Sequence, residues 1–251
     1  MSESATCVGD VRLPAGDRLR DVTPILVAHG TRNPHGISVI AEIAAAVSAR
    51  IGRTRTAFVD VLGPTPTEVI GDATRRPVLV PAFLAAGYHV RQDIPEHVRD
   101  AGRDDTIVTR ALGPDPAIAA VTRTRLLDAG WRRGDAVVLA AAGSSDPIAL
   151  DHVYRSARQL ESLIGEPVEV GFIATATPTV PDAIARARRS GRRVIVASHL
   201  LAPGLFHDRL HEYGADAVSA PLGADPRIVD LIVTRMRAAV SPYRLGTTRA
   251  G

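Results

Sequence analysis

Lysine is missing from this chain of 251 residues: every one of its 30 basic side chains is arginine, set against 27 carboxylates. The resulting charge of +3 comes with no long basic run, and aromatic residues make up only 4% of the chain, leaving little to stack against bases. Nucleic acid is therefore not an expected partner. Cysteine occurs once, as Cys7, which excludes an intramolecular disulfide framework and any multi-cysteine metal site, and fits a reducing compartment. No uncharged apolar run approaches the ~18 residues of a membrane-spanning helix. Residues 1–22 carry charges throughout instead of the apolar stretch of a signal peptide. A cytoplasmic location without a membrane partner is the expectation. Also missing are a Walker A sequence, a G-x-G-x-x-G opening a helix after a strand, and a G-x-S-x-G elbow, so neither nucleotide use nor a serine nucleophile is indicated.

Hydrophobic residues make up 45% of the chain, enough for a sizeable core. Short β-branched runs at 24–28, 56–61, 77–81 and 105–109 alternate with amphipathic stretches such as 36–51. The rhythm returns at 136–141, 168–173, 193–197 and 216–219, with another helical stretch at 150–164. Strands alternating with helices predict an α/β fold with mostly parallel sheets flanked by helices.

The two halves are copies. Residues 111–116 (ALGPDP) return as 221–226 (PLGADP), 110 positions on, and an amphipathic stretch follows each. Gly30-Thr31-Arg32-Asn33-Pro34 returns as Gly143-Ser144-Ser145-Asp146-Pro147, and Ala57-Phe58-Val59-Asp60 as Gly171-Phe172-Ile173-Ala174. Three ordered matches at nearly constant offset point to tandem duplication. The expected units are 23–131 and 134–241, joined near Gly130-Trp131-Arg132-Arg133-Gly134, with tails at 1–22 and 242–251.

Open parallel sheets place ligands beyond the carboxyl ends of their strands. His29 follows the first predicted strand, and His89 follows the third within the apolar stretch Pro81–Pro95. His29 either faces the crevice or merely caps its own turn, and sequence-distant histidine pairs such as His29 and His89 also arise by chance. Neutral imidazole suits divalent first-row metals, and two such ligands with open positions would hold an ion loosely. Asp60, at the end of the second predicted strand, could ligate metal, orient an imidazole, accept a proton, or only cap the next turn. In the second copy the position of His29 becomes Ala142 and that of Asp60 becomes Ala174, while His207 falls near that of His89 with one extra residue after the glycine. A scaffold kept without these groups argues that they serve function in the first copy. His199, His207 and His211 form a weaker alternative cluster, and the role of His207 stays open.

These residues resemble the sirohydrochlorin chelatases, the class II chelatases of siroheme and cobalamin synthesis. The family's opening His-Gly-Ser/Thr-Arg-x-Pro is matched by His29-Gly30-Thr31-Arg32-Asn33-Pro34. Its Phe-Leu-Glu strand end is similar to Phe58-Val59-Asp60, with Asp for Glu. Its Pro-x-Phe-Leu-x-x-Gly-x-His stretch is matched by Pro81, Phe83, Leu84, Gly87 and His89, followed by Asp93-Ile94-Pro95. The resemblance implies two tandem chelatase-like units and ATP-independent insertion of Fe²⁺ or Co²⁺ into sirohydrochlorin. His29 and His89 would bind the metal and Asp60 would assist, with no cofactor beyond the metal substrate. Arg32 and Arg91 are candidate anchors for the substrate's carboxylates, or else solvated surface arginines. A non-catalytic metal or tetrapyrrole carrier using the same cleft is the competing reading. Fusion of two units into one chain leads to the expectation of a monomer.

Overall fold

The structure, a computed structural model, describes residues 19–241; Cys7, most of the expected N-terminal tail and the expected tail at 242–251 lie outside the described residues. A 3₁₀ turn, Leu19–Asp21, with Leu19 buried, leads into strand β1, Val22–Ala28. The first half continues through helix α1 (Pro34–Ile51), β2 (Arg55–Phe58), α2 (Pro66–Gly71), β3 (Arg76–Pro81), α3 (Ile94–Asp100), β4 (Ile107–Val108) and α4 (Pro116–Asp128). The second half repeats the order as β5 (Ala136–Ala141), α5 (Pro147–Ile164), β6 (Val168–Phe172), α6 (Val180–Arg188), β7 (Val194–His199), α7 (Leu205–Leu210), β8 (Ala217–Val218) and α8 (Pro226–Val240). Among the described residues no helix is long and apolar enough to cross a membrane.

Matching helices start from matching signals. Asn33 and Asp146 cap α1 and α5, Thr65 and Thr179 form capping boxes on α2 and α6, and Asp115 and Asp225 cap α4 and α8. Each cap is followed by proline in the first helical turn, where a missing N–H costs nothing. The strands form two parallel four-stranded sheets, β2-β1-β3-β4 and β6-β5-β7-β8. Both faces of each sheet are covered, which is why residues 24–28 of β1 and the whole of β5 read as unbroken apolar runs rather than alternating ones. The chain order reverses beside β1 and beside β5, so each sheet has a crevice at the carboxyl ends of its central pair.

The duplication extends to backbone detail. Gly30 and Gly143 take φ of 100° and 96°, and a Cβ there would lie 2.1 Å from the Asp60 carbonyl oxygen and 1.9 Å from that of Ala174. The Asp60 N–H donates to the His29 carbonyl at 3.0 Å, and the Ala174 N–H to the Ala142 carbonyl at 3.0 Å. Only glycine fits either turn. The strained turn is thus common to both units, whereas the side chains around it are not.

Packing units and sequence repeats do not coincide. Ile228, Ile232 and Met236 of α8 share a buried cluster with Leu26 of β1 and Val80 of β3, in the first sheet. Leu126 of α4 sits with Leu139 of β5 and Ile195 of β7, in the second. The last helix of each repeat therefore leans on the other repeat's sheet. Reciprocal ion pairs lock the exchange: Arg235 Nη2 meets Asp115 at 2.9 Å, and Arg125 Nη2 lies 3.8 Å from Asp225, each arginine 110 residues from its counterpart.

Candidate functional site

Between the units lies a cleft of about 760 Å³, lined by the loops after β1, β3, β5 and β7. That volume is in the range of small-molecule sites, and the walls are mainly apolar, with few polar groups. His29 leaves the end of β1 and His89 opens a single π-helical turn, His89–Asp93, after β3. Their rings meet edge to face with centroids 4.7 Å apart, although 60 residues separate them in the chain.

Hydrogen bonds decide which ring nitrogen is free. His89 Nδ1 lies 2.5 Å from Asp93 Oδ2. An ionised carboxylate can only accept, so Nδ1 carries the proton and the Nε2 lone pair is available. A carboxylate behind a histidine in this way fixes its tautomer and its orientation, as at many metal-ligating imidazoles. His29 Nδ1 faces the Gly30 carbonyl at 3.2 Å, which by the same logic leaves its Nε2 free. In the sequence Asp93 belongs only to a motif, and its spacing of four residues from His89 is the available signal. The π-turn that brings them together, with the Ile94 N–H reaching the His89 carbonyl, has no sequence mark.

Two candidate residues are placed elsewhere. Asp60 stands beside His29 through its backbone, but its carboxylate turns to the next amide and accepts the Val61 N–H at 2.7 Å; it does not line the cleft. Val61 is held at φ 68°, and the short Asp side chain serves that turn. Asp60→Asn keeps the accepting oxygen, so the turn is expected to survive and any activity of the cleft to stay within about twofold of the parent. A large loss would return the carboxylate to the chemistry. Arg91 is engaged with Asp146, the cap of α5, at 2.9 and 3.1 Å, and is not among the cleft residues, so it is an inter-unit tie and not a free anchor. Arg32 does line the cleft, at its exposed mouth.

The second unit acts as a buttress for the His89 loop. The Ala86 N–H donates to His152 Nδ1 at 3.1 Å, and Ala85 packs against the second unit's core. Burial holds His152 below its ordinary pKa, favouring the neutral ring this bond requires. The second unit's own histidines differ. His207 spends Nε2 on the Ser219 carbonyl at 3.2 Å, and His199, at the end of β7, is buried. Among the described residues no three or more His, Cys, Asp or Glu side chains gather where they could hold a metal ion. Two imidazoles with open positions suit an ion in transit better than a resident one.

Fold and cleft together define a two-unit parallel α/β protein with a cleft between the units, beyond the strand ends. The CbiX family pattern matches residues 23–129 and again 136–239. The chain belongs to the CbiX family. A sirohydrochlorin cobaltochelatase of Methanopyrus kandleri is 30% identical over 138 residues, covering 42% of this chain and 96% of the relative. Another, from Methanococcoides burtonii, is 32% identical over 78 residues, covering 29% of this chain and only 60% of the relative's length. In fold, the chain is similar to SirB from Bacillus subtilis with Fe³⁺, at a TM-score of 0.75 and 22% identity over 88% of this chain and 96% of that one.

Proposed function

We propose that this chain inserts a divalent metal, Fe²⁺ or Co²⁺, into sirohydrochlorin without nucleotide. The observation that carries the reading is the pair of imidazoles, edge to face at 4.7 Å in an apolar cleft, each with Nε2 uncommitted. Relatives described as sirohydrochlorin cobaltochelatases supply the substrate class. Bis-imidazole ligation does not by itself separate neighbouring first-row ions, so iron and cobalt both fit.

Metalation removes two pyrrole protons and strips water from the ion. His29 and His89 hold the partly dehydrated ion through Nε2, beside the macrocycle, and as the metal leaves them each freed imidazole takes one of the two pyrrole protons. Holding ion and ring in register replaces a slow bimolecular encounter, and the apolar walls exclude competing water. Arg32, at the mouth, pairs with a substrate carboxylate. Asp93 keeps His89 oriented throughout.

The test is anaerobic mixing of protein, sirohydrochlorin and either ion, followed by absorption. Turnover well above the spontaneous rate supports the reading; stoichiometric binding without turnover makes the chain a carrier. In the same assay Asp93→Asn is expected to lower the rate at subsaturating metal by about 10- to 100-fold, because the amide cannot hold the Nδ1 proton as a carboxylate does. An unchanged rate would remove Asp93 from the site.

A further inference from the structure

Among the described residues the two most exposed large apolar side chains are Leu205, at 62%, and Tyr88, at 59%. A single exposed apolar residue needs no explanation. These two, however, line the same cleft, one from each unit. They also hold equivalent places in the duplication: each directly follows the glycine of the loop after its unit's third strand, Gly87 and Gly204, 117 residues apart. Each loop leans on the opposite unit. A Cβ on Gly87 would lie 3.4 Å from the Ala149 Cβ, and one on Gly204 would lie 3.2 Å from Thr31 Oγ1.

We propose that Tyr88 and Leu205 are a pair of apolar jaws, one from each unit, that grip the flat conjugated ring of the substrate. The proposal rests on the chelatase reading. The duplicated chain has let the equivalents of His29 and Asp60 become alanine, yet bulky apolar side chains stand at both jaw positions. Tyrosine and leucine share apolar area and not a hydroxyl, which is what a ring face requires. The Tyr88 ring meets that of His89 nearly at right angles, with centroids 6.0 Å apart. A macrocycle held against Tyr88 is thereby brought beside the imidazole that carries the metal.

Metal-free sirohydrochlorin is titrated into the intact parent chain, Tyr88→Ala, Leu205→Ala and Tyr88→Phe, with its absorption or fluorescence as the readout. Co²⁺ alone is titrated by calorimetry, and thermal unfolding and sedimentation are measured alongside. Each alanine variant is expected to bind the macrocycle about tenfold more weakly. The loss should fall on KM far more than on kcat, with Co²⁺ binding and thermal stability held, and Tyr88→Phe should bind like the parent. Macrocycle binding within about twofold of the parent in both alanine variants overturns the proposal. So does Tyr88→Phe losing as much as Tyr88→Ala, or a matching loss of Co²⁺ binding. A dimer of the parent that the alanine variants dissolve would make the jaws a contact between copies and would overturn it too. If the parent itself does not bind sirohydrochlorin, the chelatase reading falls and the jaws fall with it; if the parent binds and the variants bind equally, the jaws alone fall.

Discussion

His89→Ala is expected to slow metal insertion about a thousandfold, and His29→Ala by a similar factor, while metal-free sirohydrochlorin still binds. Each imidazole offers one lone pair at Nε2, because Nδ1 is committed to Asp93 in one case and faces the Gly30 carbonyl in the other. Loss of either leaves an ion with a single protein ligand and an intact shell of water. It also removes half of the geometry that sets the ion beside the ring and one of the two bases within reach of a pyrrole proton. The two groups act as a unit, so the double variant should be hardly slower than either single one. Anaerobic rates at saturating macrocycle and varied Co²⁺ provide the check. Rates within about tenfold of the parent in both variants would sink the assignment, since a group that takes the reacting proton contributes more than that.

Why this pair was legible in the sequence has a physical answer. Strand ends are legible from apolar runs, and the eight runs fall on the eight strands among the described residues to within a few residues at each end. Parallel sheets put ligands beyond those ends, so residues just past β1 and β3 were candidates before any geometry was known. The second copy sharpened the choice, because Ala142 occupies the same glycine turn as His29 without its side chain. What the sequence does not carry is where side chains point. Asp60 sits at the right height, but the turn at Val61 draws its carboxylate back to the main chain. Arg91 reaches across the cleft's edge to Asp146, a partner 55 residues away in another unit. The helix exchange was hidden for a related reason. Apolar spacing says which face of α8 is buried; it does not say which sheet the face covers.

A second large effect belongs to stability and comes from His199. This ring ends β7, lines the cleft wall, and is 4% exposed, with neither nitrogen bonded to a protein group. Burial alone pushes its pKa down from 6.5 to about 4. Above pH 6.5 the ring is neutral in both the folded and unfolded chains and contributes no pH dependence. As the pH falls below 6.5 the unfolded chain takes up a proton that the folded chain refuses until about pH 4, so stability drains across that window. The loss amounts to about 3 kcal/mol by the lower end. His199→Leu removes the titrating group and should abolish this part of the slope. At neutral pH the variant is expected to be at least as stable as the parent, since it no longer buries two unpaired nitrogens. Urea unfolding at intervals across the window checks both statements. His152 and His207, which burial also holds below their ordinary pKa, are present in both proteins and cancel in the difference. Parallel stability curves for parent and variant would show that His199 meets no such penalty in the fold. A variant that is less stable at neutral pH would instead show that the ring has found partners inside the folded wall.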